Sequence, residues 1–244
     1  MLQVFSQNYI LLVSAVLVLL FILSQFFHIF DLKGAIAAVV LGAVVSFLGY
    51  ITWLILLIIF ALSSHIVTKY RFQYKKEHKY QEGELGERKI SNVVYAGTIG
   101  LIISVANYIS PYHLPYFLLF SASFAAITAD TFASEIGTLD SNTYMITTLK
   151  RTNTGVNGGI SVLGEIAALA GASIIGLSYS LMSINQHVYL DFLAITIAGF
   201  ISCQVDSVLG ALFENDGKLS KGQVNFLASF SAILFVIPFF AYIH

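Results

Sequence analysis

Three carboxylates, Asp130, Glu165 and Asp206, lie inside stretches that are otherwise apolar enough to cross a membrane, and Glu135 follows shortly after the first. Ionisable side chains in such stretches are expensive to bury and point to function. Asp130 and Ser134 are four residues apart and share one face of a helix, with Glu135 next to it. Buried like charges repel unless a proton or cation joins them. Asp/Glu clusters with backbone carbonyls and water suit hard oxygen-ligated ions, Mg²⁺ above all when phosphates complete the shell. A magnesium–phosphate site is one resolution, and a proton- or cation-coupled transport path is the other.

The second ingredient is Asn153-Thr154-Gly155-Val156-Asn157-Gly158-Gly159, which leads into an apolar run. A helix N-terminus offers free N–H groups, and glycines let a phosphate approach the backbone closely. Lys150 and Arg151, just upstream, can supply positive charge. The same residues also suit an ordinary glycine-rich turn with an Asn cap. Asn215-Asp216-Gly217-Lys218 looks similar, and Asn-Asp-Gly is likewise a common turn. No GxxxxGK[ST] loop occurs, and the six histidines show no HExxH spacing, which argues against a P-loop and a zinc site. The single cysteine, Cys203, leaves no disulfide framework.

The elements that must position these groups are helical. Of the 244 residues, 57% are hydrophobic and 10% charged, against about 25% charged in soluble domains. An all-α polytopic membrane protein follows, forming a single membrane domain over 1–244. The first apolar run lacks a basic leader and a cleavage site, so it is expected to be a retained helix. At about 20 residues per span, eight helices are expected, at roughly 8–30, 33–49, 51–69, 91–109, 114–137, 157–183, 188–213 and 223–243. Gly49 and Tyr50 are the only break between the second and third, so these two can form a hairpin or a re-entrant pair.

All 12 basic residues then fall in alternate connections: Lys33, the stretch from Lys69 to Lys89, Lys150 with Arg151, and Lys218 with Lys221. The positive-inside rule puts those connections in the cytoplasm and both termini outside. The cytoplasmic loop 70–90 suits a solvated connector or a phosphate-attracting lid near anionic headgroups, and 138–156 is the expected active-site loop. At 1.5 Å per residue, Asp130, Glu165 and Asp206 come to one depth, on the order of 10 Å below the cytoplasmic boundary. Asp191, near an outer end, is the exception in an outer half almost free of ionisable groups. That one-sidedness favours an enzyme open to the cytoplasm over a transporter. Asp130-Thr131-x-x-Ser134 and Asp206-Ser207-x-x-Gly210 are loosely alike, as in repeat-built transporters. Gly42, Gly49, Gly164, Gly171, Gly176, Gly199 and Gly210 read as close helix-packing positions.

Three segments, Ala129-Asp130-Thr131-Phe132-Ala133-Ser134-Glu135-Ile136-Gly137, Gly155-Val156-Asn157-Gly158-Gly159-Ile160-Ser161-x-x-Gly164 and Asp206-Ser207-x-Leu209-Gly210-Ala211, occur in that order. Together they resemble the integral-membrane family containing the plant phytyl-phosphate kinase of tocopherol synthesis, over roughly residues 31–243. By analogy its wider relatives are the phytol and dolichol kinases and the CDP-diacylglycerol synthases. Asp31 to Gly34 fits the family's early helix boundary, whereas Ala96 stands where the family usually has an Asn. The resemblance implies phosphoryl transfer from a nucleoside triphosphate, CTP for this family, to an isoprenyl monophosphate such as phytyl or geranylgeranyl phosphate. It implies Asp130, Glu135 and Asp206 as Mg²⁺ ligands and Glu165 as a ligand or an orienting group. Asn157, Gly158 and Gly159 would cradle phosphate, with Ser134, Asn153, Gly155, Ser161 and Asn215 beside it. Lys150 and Arg151 would stabilise charge. The competing expectations are an ion-coupled transporter and a CTP-dependent lipid-alcohol kinase or cytidylyltransferase. The DGxxAR and NDxxDxxxD patterns of two other membrane chemistries do not occur. No nucleic-acid partner is expected, and a homo-oligomer is left open.

Overall fold

The computed structural model describes residues 6–111 and 113–243. Residues 1–5 and 244 of the expected single domain, and Tyr112 of an expected outer turn, lie outside them. The helices are α1 (Gln7–Phe26), α2 (Leu32–Leu48), α3 (Ile51–Lys69), the short α4 (Phe72–Glu77), α5 (Ile90–Ile109), α6 (Tyr116–Gly137), α7 (Val162–Met182), α8 (Val188–Leu209) and α9 (Lys221–Ile243). A two-residue hairpin pairs β1 (Tyr144–Met145) antiparallel with β2 (Gly159–Ile160). Among the described residues, seven helices are long and apolar enough to cross a membrane. The eighth apolar helix, α2, has 17 residues, a rise of about 25 Å against the ~30 Å of a hydrocarbon core. The all-α membrane architecture of the sequence reading is therefore what the chain adopts.

Helix ends differ from the expected boundaries for local reasons. The first helix stops at Phe26 rather than near residue 30, because His28 takes a left-handed conformation at φ 53°. Gly49 and Tyr50 separate α2 from α3, so these are two helices. The expected start of a helix at residue 157 is wrong. Gly155 and Gly158 have φ of +86° and +79°, which a right-handed helix does not accommodate. The helix begins instead at Val162, where Ser161 Oγ accepts a hydrogen bond from the Gly164 amide at 3.2 Å. Residues 70–90 are more than a connector, since α4 lies within them.

Helix α6 is the axis of the bundle. Its run Ser121-Ala122-Ser123-Phe124-Ala125-Ala126-Ile127-Thr128-Ala129 is wholly buried. Between helices in lipid, small residues are what permit close backbone approach. A Cβ added to Gly171 of α7 would lie 2.8 Å from the Thr128 carbonyl oxygen. One added to Gly199 of α8 would lie 2.7 Å from Ala125 Cβ. Gly164 and Gly137 make a similar approach near the end of α6, at 3.3 Å. On the other flank, aromatic rings fill the space: Trp53 and Phe120 have centroids 4.6 Å apart, and Phe60 and Phe124 5.3 Å. Glycine contacts thus draw α7 and α8 onto α6 and bring their polar residues to one level.

The basic connections gather at one end. The Asp31 amide donates to the Arg88 carbonyl (3.1 Å), and the Arg88 amide to the Ile29 carbonyl (3.0 Å), so the start of α2 lies beside the start of α5. Lys221, at the start of α9, reaches Glu82 of the 70–90 segment at 2.6 Å. Gly155 abuts the Tyr80 ring. Charge alternation along the sequence therefore corresponds to a single basic end in space.

Candidate functional site

A cavity of about 390 Å³ lies beneath this basic end. Of the expected site residues, Asp130, Ser134, Glu135, Gly155, Asn157, Gly158, Gly159, Ser161, Glu165 and Asp206 all line it. Asp130 of α6 and Asp206 of α8 are within hydrogen-bonding reach of each other. Helix α9 contributes Asn225, whose amide nitrogen can be placed 3.2 Å from Asp206 Oδ2 and 3.3 Å from the Lys221 carbonyl oxygen. Glu165 of α7 shares the cavity but accepts the Gln204 amide at 2.7 Å, a partner from α8 that fixes its orientation.

Glu135 does something other than join the aspartate pair. Its Oε2 is 2.7 Å from Lys75 Nζ, and its Oε1 accepts from Thr68 Oγ1 at 2.8 Å. Arg88 Nη2 stands 3.6 Å away. Lys75 is 1% exposed and also donates to the carbonyls of Val67 and Thr68, at 2.8 and 3.1 Å. All its donors are used, as a buried ammonium requires. Glu135 is thus an anchor between α6 and the 70–90 segment, while Asp130 and Asp206, the other two expected ligands, stand together. Among the described residues, no three His, Cys, Asp or Glu side chains are grouped as a ready metal site. A pair of carboxylates still fits Mg²⁺, which is commonly held by one or two carboxylates with water and substrate phosphates completing its octahedron.

The glycine segment is a packed loop rather than a helix N-terminus. Asn215 Nδ2 donates to the Asn157 carbonyl at 3.0 Å, and Ile146 N to the Gly158 carbonyl at 2.9 Å. Asn215 follows a wide π turn, Gly210–Glu214, that continues α8. Such turns are frequent where a helix carries a functional group. Here it seats Gly158 directly against Ser207 and Ala211, one turn from Asp206. Ser134 lines the cavity while its hydroxyl donates to the Thr131 carbonyl (3.1 Å), and Ser161 serves as the helix cap.

Lys150, Arg151 and Asn153 are not brought to the carboxylates. They follow a chain reversal in which Met145 N donates to the Lys150 carbonyl, and all three are exposed. Arg151 donates to Asn142 at 3.0 Å. Arg151 and Asn153 line a second, more open pocket with Ser141, which adjoins the main cavity at Tyr80 and Thr154.

The cations that do line the cavity include Arg88, from the loop read as a connector or a phosphate-attracting lid, and Lys221, which the sequence reading assigned only to topology. Both bear on Glu82: Lys221 Nζ at 2.6 Å from Oε1, and Arg88 Nη1 at 4.0 Å from Oε2. Asn92 Nδ2 also donates to Oε2, at 2.6 Å. Burial alone would push the pKa of Glu82 up, but Lys221 and Arg88, with the hydrogen bonds from Lys221 and Asn92, outweigh it and hold the carboxyl below its ordinary pKa. One sequence signal for these residues was available: Lys221 and Asn225 are four apart at the start of the last helix, hence on one face. The Lys75–Glu135 pairing spans 60 residues and left no local signature.

Beyond the polar end the cavity continues between apolar helices, with Leu17 of α1, Val39 of α2, Leu54 and Ile58 of α3 and Ala96 of α5 along it. From Leu54 to Thr68 this arm follows α3 for roughly 20 Å. The molecule is a polytopic helical membrane protein with an amphiphilic cavity, charged at one end and apolar along the rest.

Residues 15–233 match the family described as integral membrane protein DUF92, and the chain belongs to that family. It is 31% identical over 201 residues to the uncharacterized membrane protein MJ0933 of Methanocaldococcus jannaschii, covering 82% of this chain and 81% of that one. The uncharacterized membrane protein sll0875 of Synechocystis is 30% identical over 72% of this chain and 69% of its own. Protein PGR of Arabidopsis thaliana is 34% identical over 104 residues, which is 38% of this chain and 36% of its own. No solved structure matches the chain.

Proposed function

We propose that this protein is a membrane kinase that transfers the γ-phosphoryl group of a nucleoside triphosphate, CTP by the family resemblance, to an isoprenyl monophosphate. Phytyl and geranylgeranyl phosphate are the acceptors of choice. The observation that carries the reading is the joining of a carboxylate pair, Asp130 with Asp206, to an apolar arm in one cavity. A prenyl phosphate needs both: a dry groove for its chain and a polar end for its headgroup. The positive-inside rule puts the polar end toward the cytoplasm, where a soluble nucleotide is available.

An oxygen of the acceptor phosphate attacks the γ-phosphorus, the bond to the β,γ-bridging oxygen breaks, and the products are a prenyl diphosphate and CDP. The acceptor is already anionic, so no strong general base is needed, and positioning with charge neutralisation does most of the work. Asp130 and Asp206 would hold Mg²⁺, which supplies charge neutralisation at the transferring phosphates. Asn225 and Gln204 orient Asp206 and Glu165. The Asn157–Gly159 loop, seated by Asn215 beside Asp206, offers its backbone to the nucleotide phosphates.

The test is a matrix of nucleotides and acceptors on purified protein in lipid nanodiscs with Mg²⁺, with products identified by mass. Prenyl diphosphate with CDP is expected. No turnover with any nucleotide and prenyl phosphate sinks the proposal, and a CDP-lipid with released pyrophosphate replaces it by nucleotidyl transfer.

A further inference from the structure

We propose that Arg88, Asn92 and Lys221 form the clamp for the acceptor's phosphate headgroup, and that Glu82 occupies this clamp while the acceptor is absent. The inference rests on the kinase reading and names the part of the site that reads the lipid. Three donors from two helix starts converge on one carboxylate: Lys221 at 2.6 Å, Asn92 at 2.6 Å and Arg88 at 4.0 Å. All four residues line the cavity. Arg88 is held from behind, its Nη2 lying 3.3 Å from Thr68 Oγ1 and 3.6 Å from Glu135, which leaves Nη1 toward Glu82.

The charges match a phosphate monoester. Lys75 neutralises Glu135, so with Glu82 displaced the clamp presents the two positive charges of Arg88 and Lys221 and the Asn92 amide. A phosphate monoester carries about −1.5 to −2 at neutral pH and accepts through three oxygens. Charge-assisted hydrogen bonds of this kind are the strong ones. The position also favours the lipid over the nucleotide. Asn92 is followed on α5 by Val93 and Ala96, which line the same cavity toward its apolar arm. The backbone of Arg88 is paired with that of Ile29, which lines the same cavity, and of Asp31. Glu82 belongs to the segment between α4 and α5, so it can leave without moving a membrane helix.

The experiment measures binding to the full-length protein in neutral-lipid nanodiscs, without turnover, in three arms: geranylgeranyl phosphate, geranylgeraniol, and CTP with Mg²⁺. Asn92→Ala and Lys221→Ala are expected to weaken geranylgeranyl phosphate by roughly tenfold or more, leaving geranylgeraniol and CTP unchanged. Glu82→Gln is expected to tighten geranylgeranyl phosphate several-fold, a gain that misfolding cannot produce. Unchanged binding in the two alanine variants, weaker binding in Glu82→Gln, or a loss confined to CTP overturns the clamp. The two proposals fail separately. Clamp-dependent binding with no diphosphate formed from any nucleotide removes the kinase and keeps the clamp. Undiminished turnover in Asn92→Ala and Lys221→Ala removes the clamp and keeps the kinase.

Discussion

Lys75 Nζ lies 2.7 Å from Glu135 Oε2, with the lysine 1% and the glutamate 11% exposed, and this pair ties α4, the short helix between α3 and α5, to the axis of the bundle. Removing one partner leaves the other charge buried, which costs about 3–5 kcal/mol, whereas replacing both is often close to neutral. Lys75→Ala is therefore expected to lower the unfolding temperature in detergent strongly, and Lys75→Met with Glu135→Gln to recover most of the loss. Equal losses in the single and the double variant would show that packing around the pair, not its charge, holds the segment.

The Asp130–Asp206 pair is expected to behave in the opposite way. Two facing carboxylates repel unless something positive joins them, so Asp130→Asn and Asp206→Asn should leave thermal stability unchanged or raise it. Turnover should fall by roughly 10²-fold or more in each, since the charge at the transferring phosphate is no longer matched. Chelation with EDTA should abolish wild-type turnover and excess Mg²⁺ restore it. Activity that survives either substitution, or persists in EDTA, contradicts the assigned role.

The sequence was most informative where the physics is local or periodic. Apolar run lengths placed the helices, and the 12 basic residues in alternate connections correctly indicated one basic end. Depth counting brought Asp130, Glu165 and Asp206 into one cavity, because rise per residue is fixed along a helix. It could not tell which carboxylates would face one another. Glu135 is only five residues from Asp130, yet its orientation is decided by Lys75, on a segment 60 positions away. The glycine loop was legible as a loop, but its positive φ values at Gly155 and Gly158 delay the helix to Val162. Lys150 and Arg151 were chosen for proximity in sequence, and the chain reversal after Met145 leaves both outside the lining of the cavity.

Two glycines with positive φ should respond differently to alanine. At Gly158, φ is +79° and an added Cβ would fall 2.5 Å from Ala211 Cβ and 2.7 Å from the Ser207 carbonyl oxygen. Backbone strain and overpacking against α8 add, so Gly158→Ala is expected to cost about 2–4 kcal/mol and to reduce turnover by displacing the loop from Asp206. At Gly217, φ is +69° but nothing lies within 4 Å, so only the conformational cost of about 1–2 kcal/mol remains. Thermal scans of both variants, with turnover beside them, separate the cases. Equal destabilisation would mean that the contact with Ala211 is easily relieved.

The stability contributed by Glu82 should depend on pH in one direction. Lys221, Arg88 and Asn92 hold its carboxyl below the ordinary value of 4.5 despite the opposing effect of burial. Between that depressed folded value and 4.5, the unfolded chain binds more protons than the folded one, so unfolding becomes harder as pH rises. The contribution is full above the ordinary value and is lost as pH falls through the folded one. Glu82→Gln removes it at every pH. The variant should therefore unfold at a lower temperature than wild type near neutrality, and the gap should close as pH falls below the ordinary value of 4.5 and through the depressed folded one. Paired scans across that range check this, with Lys221→Ala as a second way of weakening the same contact. A gap that stays constant into strong acid, or widens, would mean that Glu82 stabilises the segment through packing rather than through its charge.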